Sequence, residues 1–141
     1  MSGFRTTHTG SLPRPDALLA LMFAREAGET VVNEALDQAI EQATEHVVTR
    51  QKQAGITVIG DGEMSKPSYA TYIKDRLSGF DGDTPREPGQ DLVEHPRLLE
   101  KLAKLGSTAK YRRPRCVAEI RVKDLAPMQQ DIAAMQAAMA A

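Results

Sequence analysis

Between residues 31 and 54 apolar side chains return at helical spacing: Val31, Val32, Ala35, Leu36, Ala39, Ile40, Ala43, Val47 and Val48, with acids and amides between them. The stripe predicts one long helix packed on a core, with Thr30 as its N-cap and Gly55 just past its end. The period then changes. Ile56, Thr57, Val58 and Ile59 form a β-branched run between Gly55 and Gly60, which predicts a short strand covered on both faces. Nearer the N-terminus, "FRTT" at 4–7 predicts a first short strand and "HTGSLPRP" a loop. A short helix follows from Asp16, carrying Leu18, Leu19, Leu21, Met22 and Phe23 and stopped by Gly28.

Downstream, "SYATYIKDRLSG" predicts a helix ending at Gly79, and the Gly-, Pro- and Asp-rich residues 80–97 an excursion loop. "LLEKLAKLG" predicts a short amphipathic helix stopped by Gly106, and "CVAEIRV" a third strand. Pro127 then opens a last helix with Met128, Ile132, Met135 and Met139 on one side. Strand and helix alternate three times, which predicts an α/β fold with parallel strands joined by right-handed crossovers. The closing "AAMQAAMAA" has no glycine, basic cap or returning strand, so the chain reads as cut off. Three such units leave open sheet edges, and the expectation is a marginal fold that pairs with itself or with a partner chain.

Composition narrows the function classes. Of 141 residues 41% are hydrophobic and 26% charged, with a net charge of −1, which fits a soluble globular domain and no polyanionic partner. No apolar run approaches the ~20 residues of a membrane span, and the N-terminus lacks a signal-peptide core. A single cysteine, Cys116, favours a cytoplasmic setting and reads as a buried, inert thiol. With 4% aromatics and no Trp, base stacking is excluded, and "KYRRPR" at 110–115 reads as a solvated loop.

The chemistry concentrates past the second strand, where Asp61 and Glu63 stand among glycines. In parallel sheets, binding groups gather just beyond the carboxyl ends of the strands. Glu63 is either such a ligand or a loop acid favouring a helix N-terminus. Asp61 is accounted for by tight-turn chemistry. His8 either orients a carboxylate and exchanges protons or packs at a strand end. Arg14 either reaches an anionic substrate tail or lies on the surface, and His46 and His95 read as structural or solvated.

"THTGSLPRP" after the first strand, then "RQKQAGITVIGDGEM" running into "YIKDRLSGF", resembles the cobalamin-independent methionine synthase family, and the likeness continues into "CVAEIRVKDLAPMQQDIAAMQAAMA". The resemblance implies a (β/α)8 barrel of ~250 residues or more, of which residues 1–141 supply the N-terminal portion, about three β/α units, with the excursion at 80–97. It implies methyl transfer from methyltetrahydrofolate to homocysteine through a zinc-bound thiolate. The family's zinc ligands include a His-x-Cys pair, which this chain lacks. What the resemblance carries over is amino-acid binding: Gly10 and Ser11, with Thr9 beside them, at the substrate carboxylate, and Glu63 at its ammonium. Two alternatives stand beside it: zinc-dependent alkyl transfer to another thiol, and a non-catalytic barrel piece completed by a partner chain.

Overall fold

The computed structural model describes residues 3–67, 69–84, 89–104 and 113–141. They form two compact units, one of Met1–Pro67 with Ala126–Ala141 and the other of Ser68–Leu125.

The first unit is built on three helices, α1 (Asp16–Glu26), α2 (Asn33–Gln53) and, from the far end of the chain, α6 (Ala126–Ala140). Leu18 and Met22, one turn apart on α1, meet Leu36, Ala43 and Val47 of α2 and Met64 in one buried cluster. Both α1 and α2 end as their glycines predict. Gly28 (φ +81°) and Gly55 (φ +75°) are left-handed. Behind them the Glu29 and Ile56 N–H groups donate to the carbonyls of Ala24 and Gln51, and those of Gly28 and Gly55 to Arg25 and Lys52, the double closure of a Schellman motif. The start of α2 differs from expectation. Val32, not Thr30, is the N-cap, extended at ψ 118° and without a side-chain bond. Two consecutive β-branched valines favour extended backbone, and Val31 packs against the core instead of joining the helix. α6 packs on α2. Its carboxyl end receives a bond of 3.1 Å from Lys52 Nζ to the Met139 carbonyl.

The two predicted N-terminal strands reduce to one parallel bridge, Thr7 to Val58. One backbone bond remains, from the Val58 N–H to the Thr6 carbonyl at 2.9 Å, and threonine hydroxyls add to it. Thr57 Oγ1 accepts from the Thr6 N–H at 2.7 Å and donates to the Thr6 carbonyl at 3.0 Å, while Thr7 Oγ1 donates to the Val58 carbonyl at 2.9 Å. The run is not covered on both faces as expected, because Val58 is 41% exposed.

In the second unit α3 (Tyr69–Arg76) runs straight into β1 (Leu77–Thr84), followed by α4 (Gln90–Val93), α5 (Pro96–Lys104) and β2 (Arg113–Val122). The helix expected to reach Gly79 stops at Arg76, whose guanidinium lies 3.7 Å over the Tyr72 ring. β1 occupies the start of the predicted excursion loop, and the third strand pairs with it antiparallel, Leu77 opposite Val122 and Phe80 opposite Cys116, rather than joining a parallel sheet. Gly79 (φ +87°) sits where the two strands approach closely: a Cβ there would lie 2.5 Å from the Glu119 carbonyl oxygen, so only glycine fits. Cys116, expected to be buried, is exposed on β2. The Gly106 stop, residues 85–88 of the excursion and residues 110–112 of the basic cluster lie outside the described residues.

Candidate functional site

The loop after Thr7 and the turn after Val58 are laced together. Leu12 N–H donates to the Gly62 carbonyl at 3.0 Å. From the last turn of α2, the buried Gln51 amide donates to the Gly60 carbonyl at 2.7 Å and accepts from the Gly60 N–H at 3.1 Å. A second donation from Gln51, at 3.2 Å to the Val47 carbonyl, satisfies the amide inside the core. Gln51 extends the buried row of Ala43 and Val47 by one turn. A polar residue on that row was a readable signal for a pinned loop.

At Gly62 (φ +63°) the chain turns left-handed, and a Cβ would meet Met64 Cε at 2.9 Å and Leu12 Cβ and Val47 Cγ2 at 3.2 Å. Glu63 follows at φ +58°, the single non-glycine residue of positive φ among the described residues. Its N–H donates to Asp61 Oδ1 at 3.0 Å, and Asp61 Oδ2 also pairs with Lys66 Nζ at 3.2 Å. Its carbonyl accepts from the Lys66 N–H at 3.0 Å and from Arg14 Nη2 at 2.8 Å. Its carboxylate accepts from Ser11 Oγ at 2.5 Å through Oε2.

The structure thus brings together two of the residues expected at the site, Ser11 and Glu63, from 52 positions apart. Gly10 lies one residue away in a left-handed conformation (φ +89°). Thr9 is exposed and makes no hydrogen bond among the described residues, to Ser11, Glu63 or otherwise. His8, expected either to orient a carboxylate or to pack at a strand end, is exposed, as are His46 and His95. Arg14, expected either to reach an anionic substrate tail or to lie on the surface, is half-buried, and its Nη2 reaches the carbonyls of both Glu63 and Lys66. Its place between Pro13 and Pro15, in backbone stiffened on both sides, was the clue available in the sequence.

Among the described residues no three His, Cys, Asp or Glu side chains converge to hold a metal ion, so these residues do not fit a zinc centre. A separate groove of about 470 Å³, lined by Glu41, Glu45 and Gln130 with alanines of α6, shares no residue with the turn. No helix among the described residues is long and apolar enough to cross a membrane.

No family model matches the chain. It is similar to a methionine synthase of Sulfolobus acidocaldarius, 40% identical over 109 residues that cover 69% of this chain and 32% of that protein. A methionine synthase of Pyrococcus furiosus is 32% identical over 75 residues, covering 53% of this chain and 22% of its own length. An uncharacterized protein of Bacillus subtilis, YxjH, is 33% identical over 92 residues, covering 65% and 23%. The chain therefore spans a third or less of the curated relatives it matches, and the relationship is a distant, methionine synthase-like one.

Proposed function

We propose that the chain is the N-terminal portion of a (β/α)8 barrel and that it forms the amino-acid-binding part of a methionine synthase-like methyltransferase, with homocysteine as the amino acid. The observation that carries the reading is the convergence of Ser11 and Glu63 just past a parallel bridge. Distant similarity to proteins named methionine synthase supports it. Barrel strands place their ligand groups at this end.

The chemistry suits a zwitterion. Glu63 Oε1 makes no hydrogen bond among the described residues and is open to an ammonium. The backbone N–H groups of Gly10 and Ser11 likewise donate to no described residue and are open to a carboxylate. A hydroxyl has one proton, and that of Ser11 goes to Glu63. With the ammonium at Oε1, the Ser11 hydroxyl stays on Oε2, and the Gly10 and Ser11 N–H groups take the ligand carboxylate. Methyltetrahydrofolate as donor and zinc as thiol activator belong to the parent reaction. Among the described residues no ligand set for the metal is found, and the part proposed for them is to bind and orient the amino acid.

Calorimetric titration of the chain with homocysteine tests the reading. The expected result is saturable binding that persists with a chelator present and disappears in Glu63→Ala. Absence of binding, or equal binding in Glu63→Ala, contradicts it.

A further inference from the structure

A left-handed glutamate does not hold itself in place. The conformation is unfavourable for a residue with a Cβ, and it persists where the surroundings over-determine it. Here the N–H of Glu63 is held by Asp61 and its carbonyl by Arg14. Arg14 is well based for the task. The next residue, Pro15, is the N-cap of α1, which Leu18 and Met22 anchor in the core. The Arg14 Nη2 atom bridges two carbonyls of one turn, Glu63 at 2.8 Å and Lys66 at 2.5 Å. Its Nε is buried without a partner, so this edge of the guanidinium faces protein rather than solvent. That placement is unsuited to gripping a ligand directly.

We propose that Arg14 and Asp61 are positioning residues: they lock the left-handed backbone of Glu63 so that its carboxylate stands against Ser11 with Oε1 open. Release of either lock lets φ return to an ordinary negative value, which swings the Cα–Cβ bond and carries the carboxylate away from Ser11. The inference rests on the reading of Glu63 as the ammonium ligand.

A double-mutant cycle on the whole chain, titrated with homocysteine, tests it. Glu63→Gln weakens binding roughly tenfold or more, as expected for loss of a charged partner. Arg14→Met weakens it comparably, and the double variant stays within about twofold of Glu63→Gln because both changes act through one carboxylate. Losses that multiply in the double variant, or unchanged binding in Arg14→Met, overturn the inference. Unchanged binding in Glu63→Gln overturns the underlying site reading instead. Where Arg14→Met loses its helical circular dichroism, Asp61→Ala replaces it in the cycle with the same two outcomes. Backbone chemical shifts give an independent readout: Glu63 is left-handed in the wild type and ordinary in the variant that releases it. Left-handed shifts retained in that variant contradict the proposal.

Discussion

Two adjacent residues, Gly62 and Glu63, share a left-handed backbone for opposite reasons. Gly62 has no space for a side chain, with Met64, Leu12 and Val47 closing on the position of its absent Cβ. Gly62→Ala therefore combines backbone strain with overpacking and should lower stability by about 1–3 kcal/mol, read from urea denaturation. Glu63 carries a side chain where glycine would be easier, and under the proposed function its carboxylate is what that conformation presents. Glu63→Gly relieves that strain and should cost less than about 1 kcal/mol in spite of the lost bond to Ser11. A loss comparable to that of a core truncation would mean that no strain is stored there.

Among the elements, α2 carries the first unit. Leu36 is 1% exposed within the central cluster, and Leu36→Ala should cost about 2–5 kcal/mol. Gly55→Ala meets no atom within 4 Å, so its cost comes from φ alone and should be about 1 kcal/mol in thermal unfolding. α1 and α2 and their stops were legible because both signals are local, a row of side chains at 3.6-residue spacing and a glycine in the left-handed region, whereas α3 stops at Arg76, short of its expected glycine. β1 was not legible. "LSGFDGDT" holds two glycines and two aspartates, poor strand formers, and becomes a strand only by pairing with residues distant in sequence, from Thr84 with Arg113 to Leu77 with Val122. The 56–59 run misled in the other direction, since its β-branched residues promised a buried strand while Thr6, Thr7 and Thr57 bond through their side chains. At the site, Ser11 and Glu63 were named from the family resemblance. Arg14 between two prolines and Gln51 on the buried row were visible as residues, but their bonds, like that of Asp61 to Glu63, run to backbone carbonyls and N–H groups, which no residue pattern displays.

Across the whole molecule, burial is uneven. Every fully buried apolar side chain among the described residues lies in the first unit, whereas β2 leaves Val117, Ile120 and Val122 at least half exposed. A unit with little burial opens at lower free energy than one with a closed core. The chain offers a way to see this, because its three tyrosines, Tyr69, Tyr72 and Tyr111, all fall within Ser68–Leu125. Tyrosine fluorescence should lose its native signal at lower urea than the helical circular dichroism, which is dominated by α1, α2 and α6. Coincident transitions would show that the two units unfold as one.

The central claim is that an amino acid binds where the first loop meets the turn after Val58. An ¹⁵N-edited NMR titration with homocysteine reads this residue by residue. Saturable shifts are expected at Gly10, Ser11 and the 61–66 turn, with the groove between α2 and α6 unmoved. Shifts confined to that groove, or none at the turn, would contradict it.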